Sequence, residues 1–423
     1  MKSENNINLK RNIFFHNLNF IFRNLMQITI GVYFANYLGP DGYGLFQSKV
    51  VFVSYFTLIS QFINPDILVN EYKRNGFDNL VSDLALCTFM SFFAFLVANI
   101  FSLVLYQDSL INILIFVLSL NLLVNVLVPI TIAGLLSGYE SMNILAMFLT
   151  KLGMYSWRLF GIVTNQDILF FAFSVLIEIS IFSLITLYVF KLSKLKNKTV
   201  YKFNLKHSIK LIKSTSKIFI ANILNLSYVA FSVFIVEISF SSFFLGKFSL
   251  LFGLQAGLSG IMIAFSRYLH INFLKITDNK NYNYKNIILL INFVFTVLLV
   301  FSSTLIFKLI SDRYLIKFDI SLVEILLIFS ISFVINNRFA YQQIKILQKK
   351  ENELWKLDIF VNIFVIPFYF YVFYSSINFN EFLFFYIAII LISNFSFILF
   401  SKTHSNESVK DLKIKEIIRG AFE

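Results

Sequence analysis

The chain has 423 residues, 58% of them hydrophobic and only 14% charged, with a formal net charge of +13. A soluble domain carries about a quarter charged residues, so this composition excludes an ordinary soluble protein. The positive surplus does not point to nucleic acid either, because lysine and arginine are spread along segment edges rather than gathered on one compact face.

Twelve apolar stretches are predicted, each long enough to cross a bilayer at about 20 residues per span. They lie at 13–37, 44–64, 83–105, 110–136, 144–163, 168–190, 216–240, 246–271, 286–309, 320–341, 354–374 and 379–400. The first is too long for a signal-peptide core and contains Arg23, so it is expected to span rather than to be cleaved. The connecting segments sort the 36 Lys and Arg sharply. Alternate segments hold 27 of them: 3 in 1–12, 2 in 65–82, none in 137–143, 9 in 191–217, 3 in 272–285, 5 in 336–358 and 5 in 401–423. The opposite set holds 4, namely Lys247, Lys308, Arg313 and Lys317. Cation-rich loops stay cytoplasmic. The expectation is a multi-pass inner (plasma) membrane protein with both termini inside. Its basic edges suit anionic lipid headgroups, at about 1 kcal/mol per charge.

The longest connection, 191–217, carries nine lysines and no acid. It divides the chain into an N-terminal six-helix bundle, 1–190, and a C-terminal one, 218–400, followed by a basic tail, 401–423. Tyr37-Leu38-Gly39-Pro40-Asp41-Gly42-Tyr43-Gly44-Leu45-Phe46 follows the first span, and Phe244-Leu245-Gly246-Lys247-Phe248-Ser249-Leu250 stands at the matching place in the second half. That match fits a duplication, and equally the commonness of Leu-Gly turns between helices. Residues 65–82 read as an amphipathic connector lying in the membrane interface. Pro129 and Pro367 fall inside spans and are expected to kink them. The outer connections are short, the longest being 310–319, which leaves no external domain for a catalytic site.

Polar residues within the spans are the candidates for function. Asn12, His16, Asn19, Arg23 and Gln27 recur at spacings of 4, 3, 4 and 4 and so share one helix face. A charge at bilayer depth costs at least about 2.5 kcal/mol, so Arg23 must face protein or water. It either lines a polar path or pairs with a buried acid. Lys49 lies one turn into the second span, where snorkelling to the outer interface is the alternative. In the eighth span Gln255, Ser259, Ser266, Arg267 and His270 accompany Gly253, Gly257 and Gly260. The glycines favour close helix packing, and Arg267 also suits an anchor at the cytoplasmic end. Lys151 and Arg158 are seven residues apart in the fifth span, each also able to reach its nearest interface. Glu178 in the sixth span is a candidate for ion coupling or for a salt bridge; Glu237 sits near the outer end of its span. Asn121 and Asn125 are expected to make interhelical hydrogen bonds. Cys87, the single cysteine, lies in a predicted span, which excludes an intrachain disulfide. The four histidines are scattered without ligand spacing, and no phosphate-binding glycine loop is present. No enzyme motif, metal site or cofactor is expected.

A helix with an internal arginine, the turn Leu38-Gly39-Pro40-Asp41-Gly42-Tyr43-Gly44-Leu45-Phe46 and then a second helix resemble the polysaccharide-export family, which includes the O-antigen flippases. That family belongs with lipid II flippases and multidrug and toxin extrusion transporters in one superfamily. The residue-level match covers mainly 10–46, with a weaker one at 245–268. The resemblance implies an all-α protein of two six-helix bundles around a central cavity, working by alternating access. It implies an undecaprenyl-pyrophosphate-linked oligosaccharide as substrate and the polysaccharide polymerase as a possible partner. On that resemblance Arg23, Asn19, Gln27, Lys49 and Arg267 are the expected substrate-binding residues, Lys49 and Arg267 by helix rather than by motif. The alternative is an efflux antiporter for small organic cations, which needs cavity acids. Within the spans Arg23, Lys49, Lys151, Arg158 and Arg267 stand against Glu178, Glu237 and Glu324, a balance that favours an anionic substrate.

Overall fold

Hydrocarbon offers no water to backbone N–H and C=O groups, so each spanning segment must satisfy them internally as helix. A computed structural model describes residues 2–63, 65–137, 139–192, 203–229, 231–277, 284–347 and 354–400. The described residues form α1 (Lys2–Ser60), α2 (Pro65–Asn75), α3 (Leu80–Leu105), α4 (Ser109–Ser119), α5 (Val128–Leu136), α6 (Glu140–Val163), α7 (Ile168–Ala172) and α8 (Ser174–Leu192). They continue as α9 (Leu205–Val229), α10 (Phe231–Ser239), α11 (Ser242–Thr277), α12 (Tyr284–Tyr314), α13 (Leu322–Leu347), α14 (Leu354–Tyr374) and α15 (Phe379–Phe400). Among the described residues each of the twelve predicted spans lies mainly on these helices. Eight stretches among the described residues are long and apolar enough to cross a membrane. The protein is an all-α, multi-pass membrane protein.

Where the helices break, the sequence supplies the reason. Within α1 the chain turns at Gly39, with φ 69° and ψ 175°. Only glycine adopts that conformation without strain. Pro40 follows as the first residue of the next helical segment, where its missing N–H is an orphan in any case. The fourth predicted span is continuous in the hydrophobic pattern, but its centre, Leu120–Leu127, is a 3-10 helix. Pro129 cannot donate to the carbonyl four residues back, and Val128 N–H instead bonds Asn125 O. The tightened turn presents Asn125 to the end of α1. Its amide donates to Ser60 Oγ at 2.6 Å and its oxygen accepts from Gln61 Nε2 at 3.0 Å. Asn121, four residues earlier, stays exposed. The connector expected at 65–82 is helical as α2 and buries Leu68 and Tyr72 in one apolar cluster with Leu80, Cys87, Ile132 and Leu211. The α14 helix continues through Pro367.

The chain forms two compact units. The first comprises Met1–Asn19 and Tyr37–Phe234, the second Phe20–Asn36 and Ile235–Glu423. In the first unit α6 packs on α8 and α7. A Cβ on Gly161 would stand 2.7 Å from a ring carbon of Phe171 and 2.9 Å from Phe170, so glycine is what admits those rings. Trp157 stacks on Phe170 at 4.4 Å and donates its indole N–H to Phe170 O. In the second unit residues 20–36 of α1 lie against α11. A Cβ on Gly260 would meet Asn24 Nδ2 at 2.8 Å, and one on Gly257 would meet Ile28 at 3.0 Å. Gly257 and Gly260 of the eighth span thus serve close packing. Aromatic rings fill the rest: Phe382 stacks on Tyr386 at 5.6 Å and Phe244 on Phe379 at 4.7 Å.

Gly39→Ala places a side chain where φ and ψ admit essentially only glycine, and is expected to cost about 1–3 kcal/mol. Unfolding of the purified protein in detergent, followed by denaturant or temperature, measures this directly.

Candidate functional site

A charged side chain in hydrocarbon faces inward and finds a partner, so the intramembrane charges locate the chemistry. In the first unit, Lys151 of α6 donates to Glu178 Oε1 of α8 at 2.5 Å, with both side chains partly exposed. One heptad along α6, Arg158 Nε donates to Ser174 Oγ at 3.3 Å, and its guanidinium carbon lies 5.6 Å from the Phe46 ring centroid. Glu178, Tyr155 and Tyr43 are close enough to act on the Arg158 charge. Gln47 donates to the Tyr43 hydroxyl at 3.2 Å. Lys49 does not snorkel outward: it is 1% exposed, and its Nζ stands 3.9 Å over the Tyr106 ring. A desolvated ammonium over an aromatic face is worth about 2 kcal/mol. The turn Leu38–Phe46 therefore carries the two residues, Tyr43 and Phe46, that meet Arg158 of α6.

The second unit has its own pairs. Lys247 Nζ of α11 is 2.8 Å from Glu324 Oε1 of α13, both side chains being buried. Glu324 also closes a capping box at the start of α13. Ser321 N and Oγ donate to Glu324 Oε2 at 2.7 and 2.8 Å, and Glu324 N returns a bond to Ser321 Oγ. Arg338 binds Asp358 with two parallel bonds, Nε to Oδ1 at 2.9 Å and Nη2 to Oδ2 at 2.8 Å. Mid-span, Gln255 donates to Ser259 Oγ and Ser332 Oγ, and Ser259 donates to Ser332. Asn336 donates to Thr296 Oγ1 at 2.5 Å. Two of the polar residues predicted on the eighth span thus join a hydroxyl cluster. The side chains of Asn12, His16, Asn19, Arg23, Gln27, Ser266, Arg267 and His270 lie outside the described residues, and Glu237 is half-buried.

Sequence reasoning missed one cluster altogether. His207, in the basic 191–217 segment, is buried against α3. Its Nε2 is 2.8 Å from Asp83 Oδ1 and its Nδ1 is 3.7 Å from Glu71 Oε1. Tyr72 donates to Asp83 Oδ2 at 2.9 Å. Burial and the Asp83 carboxylate push the Tyr72 phenol far above its ordinary range, so it remains a donor. A lone histidine among lysines carries no periodic signal. The signal that could have found it is Asp83, an acid at the start of a predicted span.

Removing one partner of the buried Lys247–Glu324 pair strands the other charge. Lys247→Met is expected to destabilise the protein by about 3–5 kcal/mol. The double variant Lys247→Met, Glu324→Gln is expected to cost clearly less than the sum of the two singles. A double-mutant cycle on unfolding in detergent measures the coupling.

No family model matches the chain, and no curated protein sequence matches it. Solved structures do. One is an inward-facing multidrug-resistance MATE family transporter of the MOP superfamily, at TM-score 0.62 and 11% identity, covering 94% of this chain and 96% of that one. A second is the eukaryotic MATE transporter AtDTX14, at TM-score 0.58 and 13% identity, with 98% of both chains covered. A third is an outward-facing multidrug-resistance MATE family transporter, at TM-score 0.54 and 13% identity, covering 92% of this chain and 94% of that one. At these identities the likeness is one of fold: the chain has the fold of the MATE transporters of the MOP superfamily.

Proposed function

We propose that the protein is a transporter that moves undecaprenyl-pyrophosphate-linked oligosaccharide units across the bacterial inner membrane by alternating access, for O-antigen or a related surface polysaccharide. The observation that carries this reading is the fate of the acids. Glu178, Glu324 and Asp358 each lie against a basic side chain, Lys151, Lys247 and Arg338 respectively. A site for organic cations needs carboxylates open to the ligand, and these three are already engaged. The sequence retains more cations than acids within the spans, which suits a doubly charged pyrophosphate. A guanidinium meets phosphate oxygens with two parallel hydrogen bonds, the role assigned here to Arg23 with Asn19 and Gln27 beside it. Lys49 and Arg267 are the further cations in this reading. Glu178, tied to Lys151, is a candidate for ion coupling only if that pair opens during the cycle. The basic loops would hold anionic lipids and orient both termini to the cytoplasm. The polysaccharide polymerase is the natural recipient of the product.

The fold likeness to multidrug-resistance transporters supports small-molecule efflux antiport as the second reading. Complementation separates the two. In a bacterium lacking its O-antigen flippase and carrying the cognate sugar cluster, the wild-type chain is expected to restore surface polysaccharide. Arg23→Ala at equal membrane level is expected to lower it about tenfold or more, the equivalent of one lost charge-assisted hydrogen bond. Arg23→Lys should retain part of the activity. Drug resistance without polysaccharide would establish efflux instead.

A further inference from the structure

The first turns of α9 present three different sides. One is docked: His207, Ser208, Leu211 and Thr215 are buried, and α9 packs on α3. Asn204 fixes that start. Its side chain accepts from His207 N at 3.1 Å, and its own N–H donates to Ser82 Oγ at 2.7 Å. The exposed remainder divides lengthwise into an apolar strip and a cationic one. Leu205, Ile209, Ile220 and Ile223 are exposed, and at 3.6 residues per turn they fall within about 60° of arc. Lys206, Lys210 and Lys213 are exposed too, and they occupy the adjoining arc of about 60°.

What covers such a face follows from where its strips lead. Ile223 lies within Asn222–Ser239, a stretch long and apolar enough to cross a membrane, and Ile220 stands just before it. The apolar strip therefore runs from the span back to Leu205 without changing sides. The lysines come from a segment, 191–217, that holds nine lysines and no acid. Among the described residues no carboxylate pairs with Lys206, Lys210 or Lys213. A helix with apolar side chains beside a row of ammonium groups matches the boundary between acyl chains and anionic headgroups. An acidic protein matches the lysines alone; lipid also matches the strip that continues into the span.

We propose that the first turns of α9 form an anionic-lipid site. Lys206, Lys210 and Lys213 hold headgroup phosphates while Leu205 and Ile209 rest on the acyl chains. The docked helix keeps the three charges in one row about 10 Å long, so headgroups meet a fixed array. No property of the transported substrate enters, and the site stands under either transport reading.

Ile209→Cys puts a reporter at the boundary of the two strips. Cys87, the single native cysteine, is 3% exposed and stays unlabelled in the folded protein; the parent chain serves as the blank. The full-length variant carries a bimane label and is reconstituted in nanodiscs of mixed phosphatidylglycerol and phosphatidylcholine, with bromine on the acyl chains of one lipid or the other. Bromine quenches on contact, so the two samples give the proportion of each lipid at residue 209. Phosphatidylglycerol is expected to be enriched at least about fivefold, the factor that one lysine supplies at about 1 kcal/mol. Adding Lys206→Gln, Lys210→Gln and Lys213→Gln is expected to abolish the preference, and salt at about 0.5 M to reduce it strongly. Equal quenching by both lipids overturns the proposal, as does enrichment that survives the three substitutions. Quenching by neither lipid also overturns it: aqueous iodide then places the face in water if it quenches, and under a protein if it does not. Should the lysine variant not fold, enrichment unmoved by salt overturns the proposal alone.

Discussion

In hydrocarbon a charge has no water to fall back on, and the structure is organised around supplying a substitute. Each substitute comes from another helix. Lys151 joins α6 to α8 within the spans; at span ends Lys247 joins α11 to α13 and Arg338 joins α13 to α14, and in the connecting segment His207 joins α9 to α3. Lys49 sets its ammonium over the ring of Tyr106. A buried pair contributes little net stability, because desolvation offsets the attraction, but a broken pair is costly. These contacts therefore act as register marks: they say which helix faces lie together more than they hold the faces there.

Holding is left to packing, since lipid tails are as apolar as leucine and helices gain little by hiding apolar surface from them. Two devices do it. Glycines remove side chains where helices approach, at Gly153 and Gly161 in the first unit and Gly257 and Gly260 in the second. Phenylalanine rings then fill the remaining space, with offset and edge-on contacts through both units. The 55 phenylalanines read in sequence as a compositional bias; in the fold, Phe46, Phe171, Phe248, Phe318 and Phe382 are among the largest fully buried side chains.

The breaks in the helices matter as much as the pairs. Gly39 turns α1, and its second segment brings Tyr43 and Phe46 to Arg158 of α6. The 3-10 stretch before Pro129 turns Asn125 onto Ser60 and Gln61. Both breaks spend a local backbone preference to aim polar groups that a straight helix would present elsewhere. Satisfied inside the protein, these groups need no partner from the lipid.

Hydropathy and loop charge determined the class, the twelve spans and the Gly39-Pro40 break, because bilayer thickness and backbone satisfaction act on each segment by itself. The stripe Asn12, His16, Asn19, Arg23 and Gln27 is an expectation of the same local kind, read from periodicity, and its side chains lie outside the described residues. Partner identity was not. That Glu178 meets Lys151 rather than an arginine, that Lys49 turns onto Tyr106 rather than to the interface, and that His207 leaves a lysine-rich segment to bury itself on Asp83 all depend on residues 27 to 124 positions apart. So does the grouping of residues 20–36 with the later helices and of 205–234 with the earlier ones. Such choices follow from which helix faces meet. A single helix carries no record of its neighbour, so only the tertiary structure decided them.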